Sequence, residues 1–285
     1  MSADWQGRFE ELVRRKTREA MTAELPPLRT VEAGAIKSLD AVGNPWTRSL
    51  FGGDFYLSAI TGDVPATGLV FVQSSDGNTG AWNPTSLGGG ETDKHLIYEG
   101  LSRVAADGVL AGAATIRGSR AVFTVWRPEL VELRAALGLP RHPIQIVATL
   151  GGLTFDDTLL LNIPELPVIV MSTAGWVERM REALARRPWI RSIAMARHDD
   201  LPGAFRELRA VGVARLSAIG GRTIARAMID VGLIQDLYLT TSARPGGEPD
   251  TPLYPVPLSG TLVVRKAGTG PEAGIVFEHL VLRSG

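Results

Sequence analysis

The sequence predicts a three-layer α/β fold in which a mixed, mostly parallel central sheet carries helices on both faces. From Gly68 onward, short apolar runs with strand character alternate with segments whose apolar residues recur at helical spacing. Such alternation is typical of a parallel sheet, because consecutive parallel strands need a crossover connection. At the C-terminal end, three strand-like runs follow one another without a helical segment. We therefore expect antiparallel strands on one side of the sheet.

The N-terminal part of the chain has a different pattern. Residues 4–24 predict an amphipathic helix, since Trp5, Phe9, Leu12 and Val13 share one face, and the Pro26-Pro27 pair ends it. Residues 30–65 are rich in loops and yield no clear element. We accordingly divide the chain into an N-terminal helical and loop extension, 1–65, and an α/β domain, 66–285.

Strands and helices alternate along the α/β domain. The predicted strands are 68–74, 108–111, 143–148, 167–171, 192–196 and 214–219, followed by the three C-terminal strands 236–241, 260–265 and 274–282. The predicted helices cover 92–106, the segment after Gly175, the stripe from Ala204 to Val211, and the segment from the glycine pair at 220–221 to Val231.

Composition excludes several classes of protein. The 285 residues have a formal net charge of +0 and no cysteine. Disulfides, thiolate metal sites and cysteine nucleophiles are therefore excluded, and neither nucleic acid nor an anionic membrane is an expected partner. No apolar run reaches the roughly 20 residues of a membrane span, and the N-terminus is too charged for a signal peptide. We expect a cytoplasmic protein.

Familiar catalytic motifs are missing from the sequence. The four histidines stand without metal-ligand spacing, so no metal is expected. The chain has no Gly-x-Ser-x-Gly elbow, no phosphate-binding loop ending in Gly-Lys-Ser/Thr, and no Gly-x-Gly-x-x-Gly opening the first strand–helix unit. Hydrolases of that type and ordinary dinucleotide-binding domains are thus disfavoured.

Three loops remain as candidates for ligand binding. Ser74–Gly80, Ala111–Arg117 and Ile219–Thr223 each follow a predicted strand and contain small residues and a threonine. Ligands of open α/β sheets bind beyond the carboxyl ends of the strands. The composition of these loops suits phosphates and sugar hydroxyls better than proton transfer.

The glycine pair Gly220-Gly221 is the most informative part of these loops. Glycine permits positive φ and close approach of the backbone to a ligand, and the helix that follows offers unpaired N–H groups. This combination favours an anion such as a phosphate.

Four segments in chain order carry a resemblance to a known family. They are Ser74–Gly77, the helix end and strand within Arg103–Arg117, the Ile219–Gly221 turn, and Val231–Leu237. Together they resemble the reductase domain of riboflavin biosynthesis (the C-terminal domain of the bacterial bifunctional deaminase-reductase), which has a dihydrofolate-reductase-like fold. The resemblance spans roughly residues 68–242.

The resemblance implies an NADPH-dependent reductase similar to 5-amino-6-(5-phosphoribosylamino)uracil reductase, whose substrate is a ribosylamino-pyrimidine phosphate. It implies that the pyrophosphate of NADPH lies over the glycine pair and that the cofactor contacts Gly80, Thr115, Arg117, Ser119, Gly220, Gly221, Arg222, Thr223 and Ile224. Substrate contacts are expected at Asp76, Trp82, Trp126, Arg127 and Ile219. No catalytic residue is assigned, because hydride transfer needs mainly orientation and exclusion of water.

Two departures from the family pattern leave the substrate open. Ile219 stands where the family has an acidic residue, and Trp126 stands where a substrate-phosphate arginine is expected, with Arg127 beside it. Trp126 can either stack on a flat ring or pack in the core. The alternatives are therefore a dihydrofolate- or pterin-type reductase and a catalytically inactive binding member of the same fold. The resemblance also suggests a homodimer.

Overall fold

A computed structural model of the chain describes residues 4–34, 38–81, 83–117 and 121–283. The strands in these residues are β1 (Arg29–Ala33), β2 (Leu39–Val42), β3 (Phe55–Ser58), β4 (Ala66–Gln73), β5 (Gly108–Gly112), β6 (Ile144–Ala148), β7 (Val168–Thr173), β8 (Ile190–Met195), β9 (Arg215–Ala218), β10 (Asp236–Thr241), β11 (Gly260–Ala267) and β12 (Val276–Leu282).

The helices of the described residues are α1 (Trp5–Thr22), α2 (Pro45–Phe51), α3 (Gly90–Thr92), α4 (Ser102–Val104), α5 (Ala113–Ile116), α6 (Pro128–Ala136), α7 (Ala174–Arg179), α8 (Arg181–Ala185), α9 (Leu201–Ala210) and α10 (Arg222–Asp230). A π-helix, Asp93–Leu101, joins α3 to α4, and short 3₁₀ helices cover Pro84–Leu87, Leu159–Leu161 and Gly270–Glu272.

A ten-stranded sheet forms the centre of the molecule, in the order β1-β11-β12-β10-β4-β9-β5-β6-β7-β8. The strands from β10 to β8 in this order run parallel, whereas β12, β11 and β1 are added antiparallel at the β10 side. The predicted mixed, mostly parallel sheet is thus confirmed, as is the antiparallel arrangement of the C-terminal strands.

Helices cover both faces of this sheet. On one face, Phe205 of α9 and Met228 of α10 belong to the apolar cluster that includes Leu110 of β5. On the other face, Leu96 of the π-helix and Leu130 of α6 pack in the cluster with Val70. Side chains of successive strand residues point to opposite faces, so β4 contributes Leu69 to the first cluster and Val70 to the second. The three-layer architecture is confirmed.

Part of the N-terminal segment belongs to the main sheet. Strand β1 pairs antiparallel with β11 and forms one edge of the sheet, while β2 and β3 form a separate two-stranded sheet. All residues of β1, with the sequence Arg-Thr-Val-Glu-Ala, are exposed. Because neither face of the strand is buried, its sequence does not alternate between apolar and polar residues, and nothing in it indicates a strand. Its pairing with a strand more than 200 residues away gives it strand structure.

Helix α1 packs on the outside of the α/β body, as the amphipathic pattern indicates. Phe9 and Leu12 are buried against Trp126, Leu159 and other apolar side chains. The carboxylate of Asp4 accepts a hydrogen bond from the backbone N–H of Gly7 and caps the helix. None of the described helices combines the length and apolar character that a bilayer span requires.

Candidate functional site

The three candidate loops meet at one edge of the sheet. They follow β4, β5 and β9, and β9 lies between the other two strands with parallel pairing to both. The carboxyl ends of three adjacent parallel strands therefore lie side by side, which is where ligands bind in open α/β sheets. This topology confirms that the three loops share one edge.

The loops after β5 and β9 come within contact distance of each other. A Cβ atom placed on Gly220 would lie 3.6 Å from Oγ1 of Thr115, and one on Gly112 would lie 4.0 Å from Cγ2 of Ile224. Thr115 and Ile224 are partly buried, whereas Thr223 is exposed. A larger side chain at position 220 would fill the space between the two loops.

Gly221 is the residue before α10, with φ +80° and ψ 102°. This positive φ favours glycine, since a side chain there would be strained. No side chain caps the first turn of α10. The first backbone N–H groups of the helix have no acceptor within it, and they lie at the helix end next to the exposed Gly221. The turn thus fits an anion, as its sequence predicts.

The loop after β4 is held by the long connection between β10 and β11, residues 242–259, which we call the connecting loop. The N–H of Thr79 donates to the carbonyl of Thr251, and the N–H of Gly80 donates to Thr251 Oγ1, with distances of 2.8 and 3.0 Å. Gly80 is buried beneath this threonine, and a Cβ there would lie only 2.6 Å from Thr251 Oγ1. Glycine at position 80 therefore permits the close approach of the connecting loop.

Three arginines lie on the helices that follow β5 and β9 or just after them. Arg222 Nη2 lies 3.6 Å from Oε2 of Glu248 in the connecting loop. Arg226, one turn further along α10, donates to the backbone carbonyls of Pro252 and Leu253. Arg117 is exposed after α5, and its guanidinium lies near Gly151, in the loop that follows β6.

The residues expected to contact substrate are distributed differently. The Ile219 side chain is 5% exposed and packs in an apolar cluster with Ile116 and Phe155, so it offers no surface to a polar ligand. Asp76 is exposed, and its carboxylate accepts a hydrogen bond from the N–H of Gly246 in the connecting loop. Trp82 and Ser119 lie outside the described residues.

Trp126 and Arg127 contact the N-terminal helices. Trp126 is 2% exposed and packs against α1, which corresponds to the packing alternative of the sequence interpretation. Arg127 donates to the carbonyl of Ala20 at the end of α1, and its guanidinium lies 4.7 Å from the ring centre of Trp46. Both side chains thus fasten α1 and α2, and none of their described contacts involves the three loops.

Asp93, which the sequence analysis does not single out, lies at the same edge beyond β4 and β10. Its carboxylate accepts a hydrogen bond from the Thr240 hydroxyl near the end of β10. Burial of the carboxyl group raises the pKa of Asp93 to about 7, a rise that the Thr240 hydrogen bond opposes and the nearby Glu272 charge increases. The residue nevertheless keeps some exposed surface. A carboxyl group that titrates near neutral pH can donate a proton to a ligand.

The sequence signal for Asp93 is the triple glycine Gly88–Gly90 just before it. A Cβ on Gly89 would lie 2.8 Å from Asp93 Oδ2, and one on Gly90 would lie 2.5 Å from Glu272 Oε1. Gly90 also has φ +85°. These glycines leave room for two carboxyl groups at the start of the helix.

The segment Arg103–Arg117, which also carries the family resemblance, has structural roles at the amino ends of the parallel strands. Asp107 Oδ2 accepts hydrogen bonds from the N–H groups of Ala214 and Arg215, which aligns β5 with β9. The buried Arg134 guanidinium donates to the carbonyls of Arg103, Val104, Ala106 and Pro140 and so terminates α4. These residues set the position of the strands that present the loops.

No group of three or more acidic or histidine side chains that could hold a metal ion occurs within the described ranges. Two of the histidines there lie beside carboxylates. His95 lies 3.2 Å from Glu99, and His279 lies 2.8 Å from Asp236.

This mixed sheet, with three candidate loops at the carboxyl ends of its parallel strands, has the architecture of an α/β domain of the dihydrofolate-reductase-like class. The family model of the RibD C-terminal domain matches residues 68–255. The chain therefore belongs to the RibD C-terminal domain family, which confirms its resemblance to the riboflavin-biosynthesis reductase domain. No curated protein matches the sequence.

Solved structures share this fold at low sequence identity. A pyrimidine reductase-like protein from Corynebacterium diphtheriae matches with a TM-score of 0.58 and 18% identity over 78% of this chain and 93% of its own. RibD from Acinetobacter baumannii matches with a TM-score of 0.60 and 16% identity over 78% of this chain. The matched part is 58% of that RibD chain.

A further match is the riboflavin biosynthesis reductase Rib7 from Saccharomyces cerevisiae, with a TM-score of 0.54 and 16% identity over 79% of this chain and 93% of its own. At these identities the structures establish the fold. The family assignment supports an oxidoreductase.

Proposed function

We propose that this chain is an NADPH-dependent reductase that transfers hydride to a heterocyclic or ribosylamino substrate. The observation that carries the proposal is the meeting of three loops beyond β4, β9 and β5, with the Gly220-Gly221 turn opening α10 in their midst. The family assignment and the names of the related reductases support the same class of reaction.

The loops suit a dinucleotide because they offer backbone N–H donors and a hydroxyl group. The pyrophosphate would lie over Gly220 and Gly221, where the first turn of α10 offers N–H groups and its dipole favours negative charge. Thr115 would add a hydroxyl donor from the neighbouring loop. When bound, the cofactor would supply the hydride, and the protein's task is to orient both reactants and exclude water.

Asp93 is the residue of this edge suited to proton transfer. It lies beyond β4 and β10, on the other side of β4 from the double glycine, and its pKa of about 7 keeps part of the population protonated near neutral pH. A donor in this protonation state can balance the charge that hydride addition places on an acceptor. We assign Asp93 to the substrate side of the site.

The substrate class follows from the family more than from the geometry. We infer a substrate similar to 5-amino-6-(5-phosphoribosylamino)uracil, whose phosphate and ribose hydroxyls suit loops rich in small and hydroxyl-bearing residues. The buried, apolar Ile219 favours a second candidate, a binding member of the family without turnover. We expect a cytoplasmic homodimer, and light scattering of the purified chain would test the dimer.

A two-part experiment tests the proposal. NADPH and NADH are titrated up to about 1 mM while thermal stability is followed, and NADPH oxidation is then measured with the uracil compound and with dihydrofolate. We expect NADPH to stabilise the fold and to be oxidised with the uracil compound. Binding without oxidation of any substrate would favour the inactive member, and absence of binding by either nucleotide would contradict the proposal.

A further inference from the structure

Glu248 is the acidic residue that pairs with Arg222, the residue directly after the double-glycine turn. It belongs to the connecting loop, which reaches the turn from a distant part of the sequence. Its Oε2 atom lies 3.6 Å from Arg222 Nη2 and only 2.8 Å from the position that a Cβ on Gly80 would take. Its carboxylate therefore lies between the loop after β4 and the start of α10.

The backbone holds Glu248 in this place from both sides. Its N–H donates to the carbonyl of Gly80 at 2.7 Å, and its carbonyl accepts a hydrogen bond from Thr251 Oγ1. Gly247 precedes it with φ +78°, and a Cβ there would lie 3.0 Å from the Gly80 carbonyl oxygen. The close approach of the two loops fixes the backbone of Glu248. Its side chain is exposed, so the carboxylate can change partners.

The ion pair itself is weak. The side chains of Arg222 and Glu248 are 31% and 63% exposed, and their charged atoms are separated by more than a normal hydrogen bond. Exposed pairs of this kind contribute little because solvent screens them. A phosphate would bring two or more charged oxygens to Arg222 and to the N–H groups of α10 at once, which a single carboxylate at this distance does not do.

We propose that Arg222 is the side chain that contacts the anionic group of the ligand, and that Glu248 is its internal counter-ion, displaced when the ligand binds. Glu248 thereby lowers the affinity of the site for anions and sets its specificity: a ligand must carry enough negative charge to take Arg222 from the carboxylate. This inference rests on the proposed function, because it assumes that the double-glycine turn is the anion site.

Binding of inorganic pyrophosphate and of NADPH to Glu248→Gln and to the wild type tests the proposal. Glutamine keeps the size of the side chain and removes its charge. We expect Glu248→Gln to bind both ligands about fivefold more tightly. Glu182→Gln, which neutralises an exposed acid on α8, is the matched control and should leave both affinities unchanged.

A double-mutant cycle adds a second arm to the test. Arg222→Met should weaken binding, and Glu248→Gln should bring no gain in the Arg222→Met background, because the counter-ion has lost its partner. Equal or weaker binding by Glu248→Gln alone, or the same gain in both backgrounds, would overturn the proposal.

The outcomes separate this inference from the proposed function. Normal NADPH binding that Glu248→Gln does not strengthen would overturn the role of Glu248 and leave the reductase proposal intact. Pyrophosphate binding that Glu248→Gln strengthens, without NADPH binding by any variant, would support the counter-ion and contradict the reductase. Absence of binding of both ligands by all variants would overturn both.

Discussion

Thr115 and Gly220 belong to loops that follow different strands, yet the Thr115 hydroxyl oxygen lies 3.6 Å from where a Cβ on Gly220 would be. This contact exists because β5 and β9 are neighbours with parallel pairing. The hydroxyl therefore faces the backbone of the predicted phosphate turn. If a dinucleotide lies there, its pyrophosphate lies within reach of both loops.

Thr115→Val should weaken NADPH binding by about tenfold, because a hydrogen bond to a charged group is lost while the shape of the side chain is kept. The free energy of unfolding should change little. Titration calorimetry would measure the affinity. Thr261→Val, at an exposed position of β11, is the control and should bind NADPH normally. If the two variants bound NADPH with equal affinity, Thr115 would have no role in NADPH binding.

Gly221→Ala should lower both stability and nucleotide affinity. Forcing a residue with a Cβ into φ +80° costs roughly 1–2 kcal/mol. Gly212→Ala provides a matched comparison, since Gly212 also has a positive φ, +99°, and open space around it. It lies just before β9, at the end of that strand away from the double glycine.

Chemical denaturation should therefore show similar losses of stability for the two alanine variants, whereas only Gly221→Ala should bind NADPH more weakly. If both variants kept the wild-type affinity, the double glycine would be a tight turn without a role in binding.

Asp93→Asn should change the pH dependence of stability. The ordinary pKa of an aspartate is 3.8, whereas that of Asp93 in the folded chain is about 7. Between these values the folded state holds a proton that the unfolded state has released, so Asp93 makes the fold less stable as pH rises, and this loss is complete above pH 7. Asparagine does not titrate and can still accept the Thr240 hydrogen bond.

The melting temperature of Asp93→Asn relative to that of the wild type should thus increase between about pH 4 and about pH 8. Asp63→Asn, at an exposed aspartate, is the control for the loss of one charge. A difference between Asp93→Asn and wild type that stays constant across this range would show that Asp93 titrates normally.

Lys16→Met should weaken the attachment of α1 to the body of the protein. Lys16 Nζ lies 3.0 Å from Oε1 of Glu99, whose side chain is 9% exposed. Burial raises the pKa of Glu99, but interactions with His95, Lys16 and Arg103 outweigh this and hold it at about 2, so the buried carboxylate is charged at neutral pH. Removing one of its partners should cost about 1–3 kcal/mol.

Arg15→Met is the comparison for Lys16→Met, because Arg15 pairs with Glu19 on the exposed face of the same helix. Its effect on the free energy of unfolding should stay within about 0.5 kcal/mol. Urea denaturation near neutral pH would measure both variants. Equal losses would mean that Lys16 does not help to fix α1.

The sequence predicts those parts of the fold that depend on local pattern. The buried strands of the parallel sheet have continuous apolar runs, and the amphipathic stripe of α1 is visible in its spacing. Strand β1 has no such pattern because all its residues are exposed, and its structure depends on pairing with β11. Edge strands of this kind are therefore missed.

The candidate site divides in the same way. The glycine pair and Thr115 are found from the strand–loop–helix pattern, because each feature is local. Asp93 and Thr240 are 147 residues apart, and Glu248 reaches Arg222 only through the path of the connecting loop. Such contacts need the tertiary structure. The choice between stacking and packing for Trp126 likewise depended on where α1 lies.

A crystal structure of the chain with NADPH tests the central claim most directly. We predict that the pyrophosphate lies over Gly220 and Gly221, with backbone N–H groups of α10 and the Thr115 hydroxyl as donors, and that the nicotinamide points toward β4 and Asp93. A pyrophosphate bound elsewhere, or crystals that take up no nucleotide at saturating NADPH, would contradict the account.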